Sequence, residues 1–143
     1  MIEAASVESV AATPEEVFDF VADVANQSRW NKDVSNLVQL TDGPPRVGTR
    51  MTGDFNRLGR IDTEITVFER PLRLVLASTG AQADMTLDFR FEPDGGESTL
   101  MTVSGAVNLK GGLRFMEAAL RAAVSAQYAE RARAIREALT SGG

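Results

Sequence analysis

A chain of 143 residues with 43% hydrophobic content and a net charge of -5 has the size of one ordinary domain, able to bury a single sizeable core. Lack of cysteine excludes disulfides and thiolate metal sites, and lack of histidine removes the usual general base near neutral pH and the commonest neutral metal ligand. The negative balance disfavours attraction to phosphate backbones, so nucleic acid is not an expected partner.

The opening MIEAASVESV has neither the basic start nor the apolar run of a signal peptide. No stretch approaches the roughly 20 apolar residues of a membrane span. The expectation is a soluble, cytoplasmic, single domain over residues 1–143.

Ile2 to Val10 alternates in the manner of a strand. Thr13-Pro14-Glu15-Glu16 then announces a helix: Thr13 caps, Pro14 fits the first helical position and Glu16 completes a capping box. Val17, Phe18, Phe20, Val21 and Val24 follow at helical spacing. Ala25-Asn26 is placed to end this helix and Ser28 to cap a second, short one from which Trp30 projects.

From Val34 the period changes to two. Val34 to Leu40, Gly48 to Phe55, Ile61 to Val67, Leu72 to Ser78, Asp84 to Phe91 and Met101 to Val107 read as half-buried antiparallel strands joined by turns rich in glycine, proline and aspartate. Six or seven strands in one meander are predicted. Asp54, Asp62, Glu64, Asp84 and Asp88 take the outward parity, which makes them solubilising residues rather than general bases. After a corner at Lys110-Gly111-Gly112, Leu113 to Leu139 repeats apolar residues at three- and four-residue steps. That is about 40 Å of helix, longer than the strands, so the helix must lie across the sheet. Thr140-Ser141-Gly142-Gly143 is expected to fray.

Gly111-Gly112 lacks the lysine and hydroxyl residue of a phosphate-binding loop. No acidic spacing suits magnesium or calcium. No metal and no cofactor is expected.

With TPEEVFDFVADVANQSRWNKDV, DGPPRVGTR, EITVFERPLRL and FEPDGGESTLMTV in that order, the chain resembles the SRPBCC superfamily over about residues 3–140. It is most similar there to the bacterial polyketide cyclase/dehydrase, or START-like, branch. The resemblance implies an α+β helix-grip (Bet v 1-like) fold, a curved antiparallel sheet of six to seven strands wrapped around a long C-terminal helix, with two short helices after the first strand. It also implies a ligand cavity between sheet and helix. The walls would be Met51, Phe55, Ile65, Val67, Met85, Leu87, Phe89, Met101 and Val103 from the sheet and Met116, Leu120 and Val124 from the helix, with Trp30, Gln127, Tyr128 and Arg131 as polar or aromatic contacts. Glycines on the inward face, Gly53 and Gly105, would leave space for a ligand, unless they only let the sheet bend.

Three polar candidates carry alternative roles. Trp30 either stacks on a flat ligand or closes the core between the short helices and the long one, the second being favoured. Arg131 with Gln127, one turn before it, presents donors to a carbonyl or carboxylate; the commoner outcome is a snorkelling arginine with its head in water. Tyr128 is an acid or, more commonly, a core residue with a satisfied hydroxyl.

The leading expectation is a binder or carrier of a small apolar molecule, lipid-like or aromatic, as a monomer or homodimer. A polyketide cyclase or dehydratase is the alternative; it needs a polar group deep among Met51, Phe55, Met85, Phe89 and Met101, and none stands out. A third reading is a partner-binding module using Arg121, Arg133 and Arg136 on the last helix.

Overall fold

Residues 1–141 are described by a computed structural model. The alternating segments become seven strands, β1 (Ile2–Val10), β2 (Val34–Gln39), β3 (Arg50–Phe55), β4 (Gly59–Glu69), β5 (Arg73–Gly80), β6 (Ala83–Pro93) and β7 (Thr99–Leu109). They form one antiparallel sheet in the order β1-β7-β6-β5-β4-β3-β2. The expected meander therefore holds only from β2 to β7. β1 departs from it and pairs with β7, from Ile2 opposite Val107 to Val10 opposite Thr99. The segment after β1 carries the chain to the far edge.

That segment begins with α1 (Pro14–Ala22). Its capping box forms as the sequence predicts: the Thr13 hydroxyl accepts from the Glu16 N–H, and the Glu16 carboxylate accepts from the Thr13 N–H at 3.1 Å. The helix ends earlier than predicted. Asp23 accepts from the Ala25 N–H and opens a 3-10 turn, Val24–Asn26, because a carboxylate cap at Asp23 outcompetes another helical turn through Ala25. Ser28 accordingly lies inside α2 (Gln27–Trp30) rather than capping it.

The inner face of α1 drives Phe18 edge-on against Phe68 at 4.9 Å and Phe91 at 5.7 Å. Phe89, one alternation along β6 from Phe91, meets Trp30 edge-on at 5.5 Å. Such pairs add about 0.5–1.5 kcal/mol each beyond the area they bury. A bulge between Ile65 and Val67 shifts the register of β4 against β5. One extra residue inverts the faces beyond it, so Phe68 joins the core where alternation had placed Val67.

The helix predicted from Leu113 starts later. Gly111–Met116 is a 3-10 segment, entered through Gly111 at φ +56°, and α3 runs Glu117–Ser141. The early turns have little sheet to pack on: Phe115 is 94% exposed. Further along, Val124, Tyr128, Ala132 and Ile135 are buried, chiefly against β1 and then β7. α3 also extends into the segment expected to fray, with the Thr140 hydroxyl bonded to the Arg136 carbonyl at 2.8 Å; Gly142 and Gly143 lie outside the described residues. A sheet laid around one long helix, with two short helices after the first strand, is the helix-grip arrangement.

Candidate functional site

Because the N-terminal half of α3 stands over the sheet without filling the gap, a cavity of about 220 Å³ opens there. The sheet side supplies Leu58 from the β3–β4 turn, Met85 from β6, and Val107 and Leu109 from β7. The helix side supplies Leu113, Met116, Leu120, Val124 and Gln127. Four residues predicted as walls, Met85, Met116, Leu120 and Val124, and one predicted polar contact, Gln127, are thus brought together.

A smaller space of about 10 Å³ lies deeper, bordered by Phe55, Met85, Leu87 and Arg131 from the predicted set. Met85 borders both spaces. Trp30 borders neither; it is 2% exposed and faces a third recess of about 50 Å³ beside Gln127 and Arg131. Met51, Ile65, Phe89, Met101 and Val103 are buried in the core rather than set around the 220 Å³ cavity, and Val67 borders neither space. Larger hollows, of about 650 and 490 Å³, involve outward-facing residues such as Asp88, Ser104, Asp62 and Glu64. They are shallow and partly charged, so the apolar space between sheet and helix is the better candidate despite its smaller volume.

The inward glycines do not leave room for a ligand. A Cβ on Gly53 would lie 2.9 Å from Val34 Cγ2, and one on Gly105 would lie 2.0 Å from the Thr86 carbonyl oxygen. Gly105 admits an irregular join between β6 and β7. Tyr128 donates its hydroxyl to the Thr86 carbonyl at 2.6 Å, and the Ala106 N–H turns to the Thr86 hydroxyl at 3.0 Å.

Burial pushes the Tyr128 phenol up to about 12, so this hydroxyl stays protonated at neutral pH and is committed to a backbone acceptor. The folded state holds the proton more tightly than the unfolded chain. The associated stability is complete below pH 10 and lost as pH rises through 12, on the order of 2–3 kcal/mol for a shift of this size. Urea midpoints at pH 9 and 11.5 should fall more for the native sequence than for Tyr128→Phe; equal falls would contradict this.

Around the deeper space the structure gathers polar groups that sequence reading did not assign to the site: Gln27, Asn31, Thr63, Ser78 and Thr86. Thr63 and Ser78 were within reach of the alternation rule, since Thr63 shares its face with Ile61 and Ile65, and Ser78 with Leu74 and Leu76. Their hydroxyls bond to each other at 2.7 Å. Gln27 and Asn31 are four residues apart, and both are buried.

Arg131 does not snorkel. It is 6% exposed, with Nη2 3.5 Å from Asp33 Oδ2 and its guanidinium carbon 5.8 Å from the Tyr128 ring centre. Asp33, just after α2, gives the head an inward partner that water would otherwise replace. Burial lowers the Arg131 pKa, and the Asp33 carboxylate opposes that.

No carboxylate borders either space between sheet and helix. Asp84 faces Lys110 at 2.8 Å and Asp88 faces Arg73 at 2.9 Å. Among the described residues no group of three or more acidic residues could hold a metal ion, and no helix is long and apolar enough to cross a membrane. The arrangement can bind an apolar body and offer it hydrogen-bond donors.

Known proteins share this architecture. Residues 1–140 match the family model for polyketide cyclase/dehydrase and lipid transport proteins. Among solved structures, the chain is similar to a START superfamily protein from Mycobacterium smegmatis, at 18% identity over 99% of each chain with a TM-score of 0.82. It is similar to a protein from Thermus thermophilus, at 19% identity over 99% of each chain with a TM-score of 0.78. It also resembles truncated norcoclaurine synthase from Thalictrum flavum, at 13% identity over 94% of this chain and 91% of that one, with a TM-score of 0.70. No curated protein sequence matches it. With a family match along nearly the whole chain and a helix gripped by an antiparallel sheet of the same fold as the START superfamily protein, this chain belongs to the polyketide cyclase/dehydrase and lipid transport family.

Proposed function

We propose that the chain binds and carries a small apolar molecule, aromatic or lipid-like, between the sheet and the N-terminal half of α3. The observation that carries this reading is the 220 Å³ space itself: its walls are mostly Leu, Val, Met and Ala side chains, and they include no carboxylate. Burying a ligand against such walls yields about 25 cal/mol per Å² of apolar surface removed from water.

A second reading, cyclisation or dehydration of a poly-ketone, is favoured by one observation: the donors of Asn31 and Arg131 lie buried near the cavity, where they could polarise a carbonyl. It has no carboxylate base in either space to support it. The partner-module reading finds less support, because Arg136 is engaged by Glu8 at 2.8 Å and Arg121 approaches Glu117 at 3.9 Å.

The test is displacement of an apolar naphthylamine dye, with native mass spectrometry for stoichiometry. The native sequence is expected to bind one dye saturably. Leu120→Trp, which fills the cavity from a half-buried position, should weaken binding at least about tenfold with the circular dichroism spectrum unchanged. Equal affinity in the two proteins would remove the cavity from consideration.

A further inference from the structure

We propose that Asn31 and Arg131 form a hydrogen-bond anchor at the inner end of the cavity for one uncharged acceptor oxygen, a ligand carbonyl. This rests on the cavity reading above and specifies which end of the ligand enters first.

Buried polar atoms are almost always partnered, so exceptions need an explanation. Among the described residues the unpartnered buried side-chain atoms are Trp30 Nε1, Asn31 Nδ2, Arg131 Nε and Asp84 Oδ1. The last faces the Lys110 ammonium at 2.8 Å. The three that remain are nitrogens that only donate, and they cluster where α2 meets α3.

Two of them share one space. Asn31, 1% exposed, and Arg131, 6% exposed, both border the 10 Å³ hollow. Asn31 is oriented by its own carbonyl, which accepts from the Asp33 N–H at 3.1 Å and leaves its Nδ2 to find another acceptor. Arg131 is held through Nη2 by Asp33 at 3.5 Å, which leaves Nε.

The hollow has room for about one water-sized atom. Only the tip of a ligand fits, while the body occupies the 220 Å³ cavity. Met85 borders both, and its flexible thioether chain can yield to a ligand passing between them.

Charge selects the kind of oxygen. Asp33 already compensates Arg131, and on the outer side Lys32 and Glu130 pair at 2.7 Å. A carboxylate entering the hollow would meet a site of no net charge with Asp33 close by, and would lose its hydration as well. A carbonyl oxygen offers two lone pairs to two N–H groups and brings no charge.

The test compares three probes of similar size on the full chain: butyrophenone, butylbenzene and 4-phenylbutanoate, each competing against the naphthylamine dye. Butyrophenone is expected to bind about tenfold more tightly than butylbenzene, and more tightly than 4-phenylbutanoate. Its carbonyl stretch should move to lower frequency on binding. In Asn31→Leu and in Arg131→Met the ketone advantage should shrink to about twofold or less while butylbenzene still binds. If Arg131→Met fails to fold, Asn31→Leu and the infrared shift decide. Equal binding of ketone and hydrocarbon by the native sequence overturns the anchor and leaves the cavity reading standing. Preference for 4-phenylbutanoate overturns the uncharged assignment. Failure of every probe and of the dye overturns the cavity reading, and the anchor with it.

Discussion

Gly105→Ala should lower the unfolding free energy by about 3–5 kcal/mol, at the severe end of single substitutions. The added Cβ would lie 2.0 Å from the Thr86 carbonyl oxygen and 2.8 Å from its carbon. Both are backbone atoms, so no rotamer change relieves the clash. Moving β6 away would disturb the Tyr128–Thr86 and Ala106–Thr86 bonds. At about 2–4 °C per kcal/mol for chains near this size, the melting temperature falls by on the order of 10 °C. Gly112→Ala is the control. No atom lies within 4 Å of the added methyl, and its effect should stay within about 0.5 kcal/mol. Thermal and urea unfolding of the two variants settle the matter; similar stabilities would mean that β6 and β7 do not approach as described.

Asp33→Asn should destabilise the fold by about 3 kcal/mol, whereas Arg131→Met should change stability by no more than about 1 kcal/mol. The asymmetry follows from what each change leaves behind. Without Asp33, a guanidinium that is 6% exposed loses its one close carboxylate at 3.5 Å. Removing Arg131 leaves a carboxylate whose side chain is 22% exposed and can take up water, which also places the Asp33 effect at the lower end for buried pairs. Methionine fills much of the vacated volume. Combining the two substitutions should therefore give a protein closer in stability to Arg131→Met than to Asp33→Asn. Chemical unfolding of the native sequence and three variants supplies the cycle. A double variant as unstable as the sum of both single effects would show that the residues do not interact.

Much of the fold could be read from local pattern because the pattern itself is physical. Alternation in β6 placed Leu87, Phe89 and Phe91 on the buried face, and Thr13 with Glu16 marked the start of α1 within a residue. What escaped was set by partners distant in sequence. Period two says which face a residue takes but not which strand lies beside it, so β1 pairing with β7 was hidden. A one-residue bulge after Ile65 put Phe68 in the place expected of Val67.

The candidate site was legible in part for the same reason. The helix stripe gave Met116, Leu120 and Val124. The direction of the Arg131 head depended on Asp33, which no helical periodicity can report. Gly105 looked like space because the carbonyl that occupies it belongs to a neighbouring strand.

The long helix is held unevenly along its length. From Gly111 to Ala123 no residue is buried, whereas Tyr128, Arg131, Ala132 and Ile135 are. Local opening free energies follow such differences, so amide hydrogens in the first half should exchange with solvent through fluctuations that leave the sheet and the second half intact. Leu113, Met116, Leu120 and Ala123, which border the cavity, all belong to that weakly held stretch. On the binding reading proposed above, the rate at which a guest molecule enters should be governed by the breathing of about three helical turns rather than by the stability of the protein as a whole.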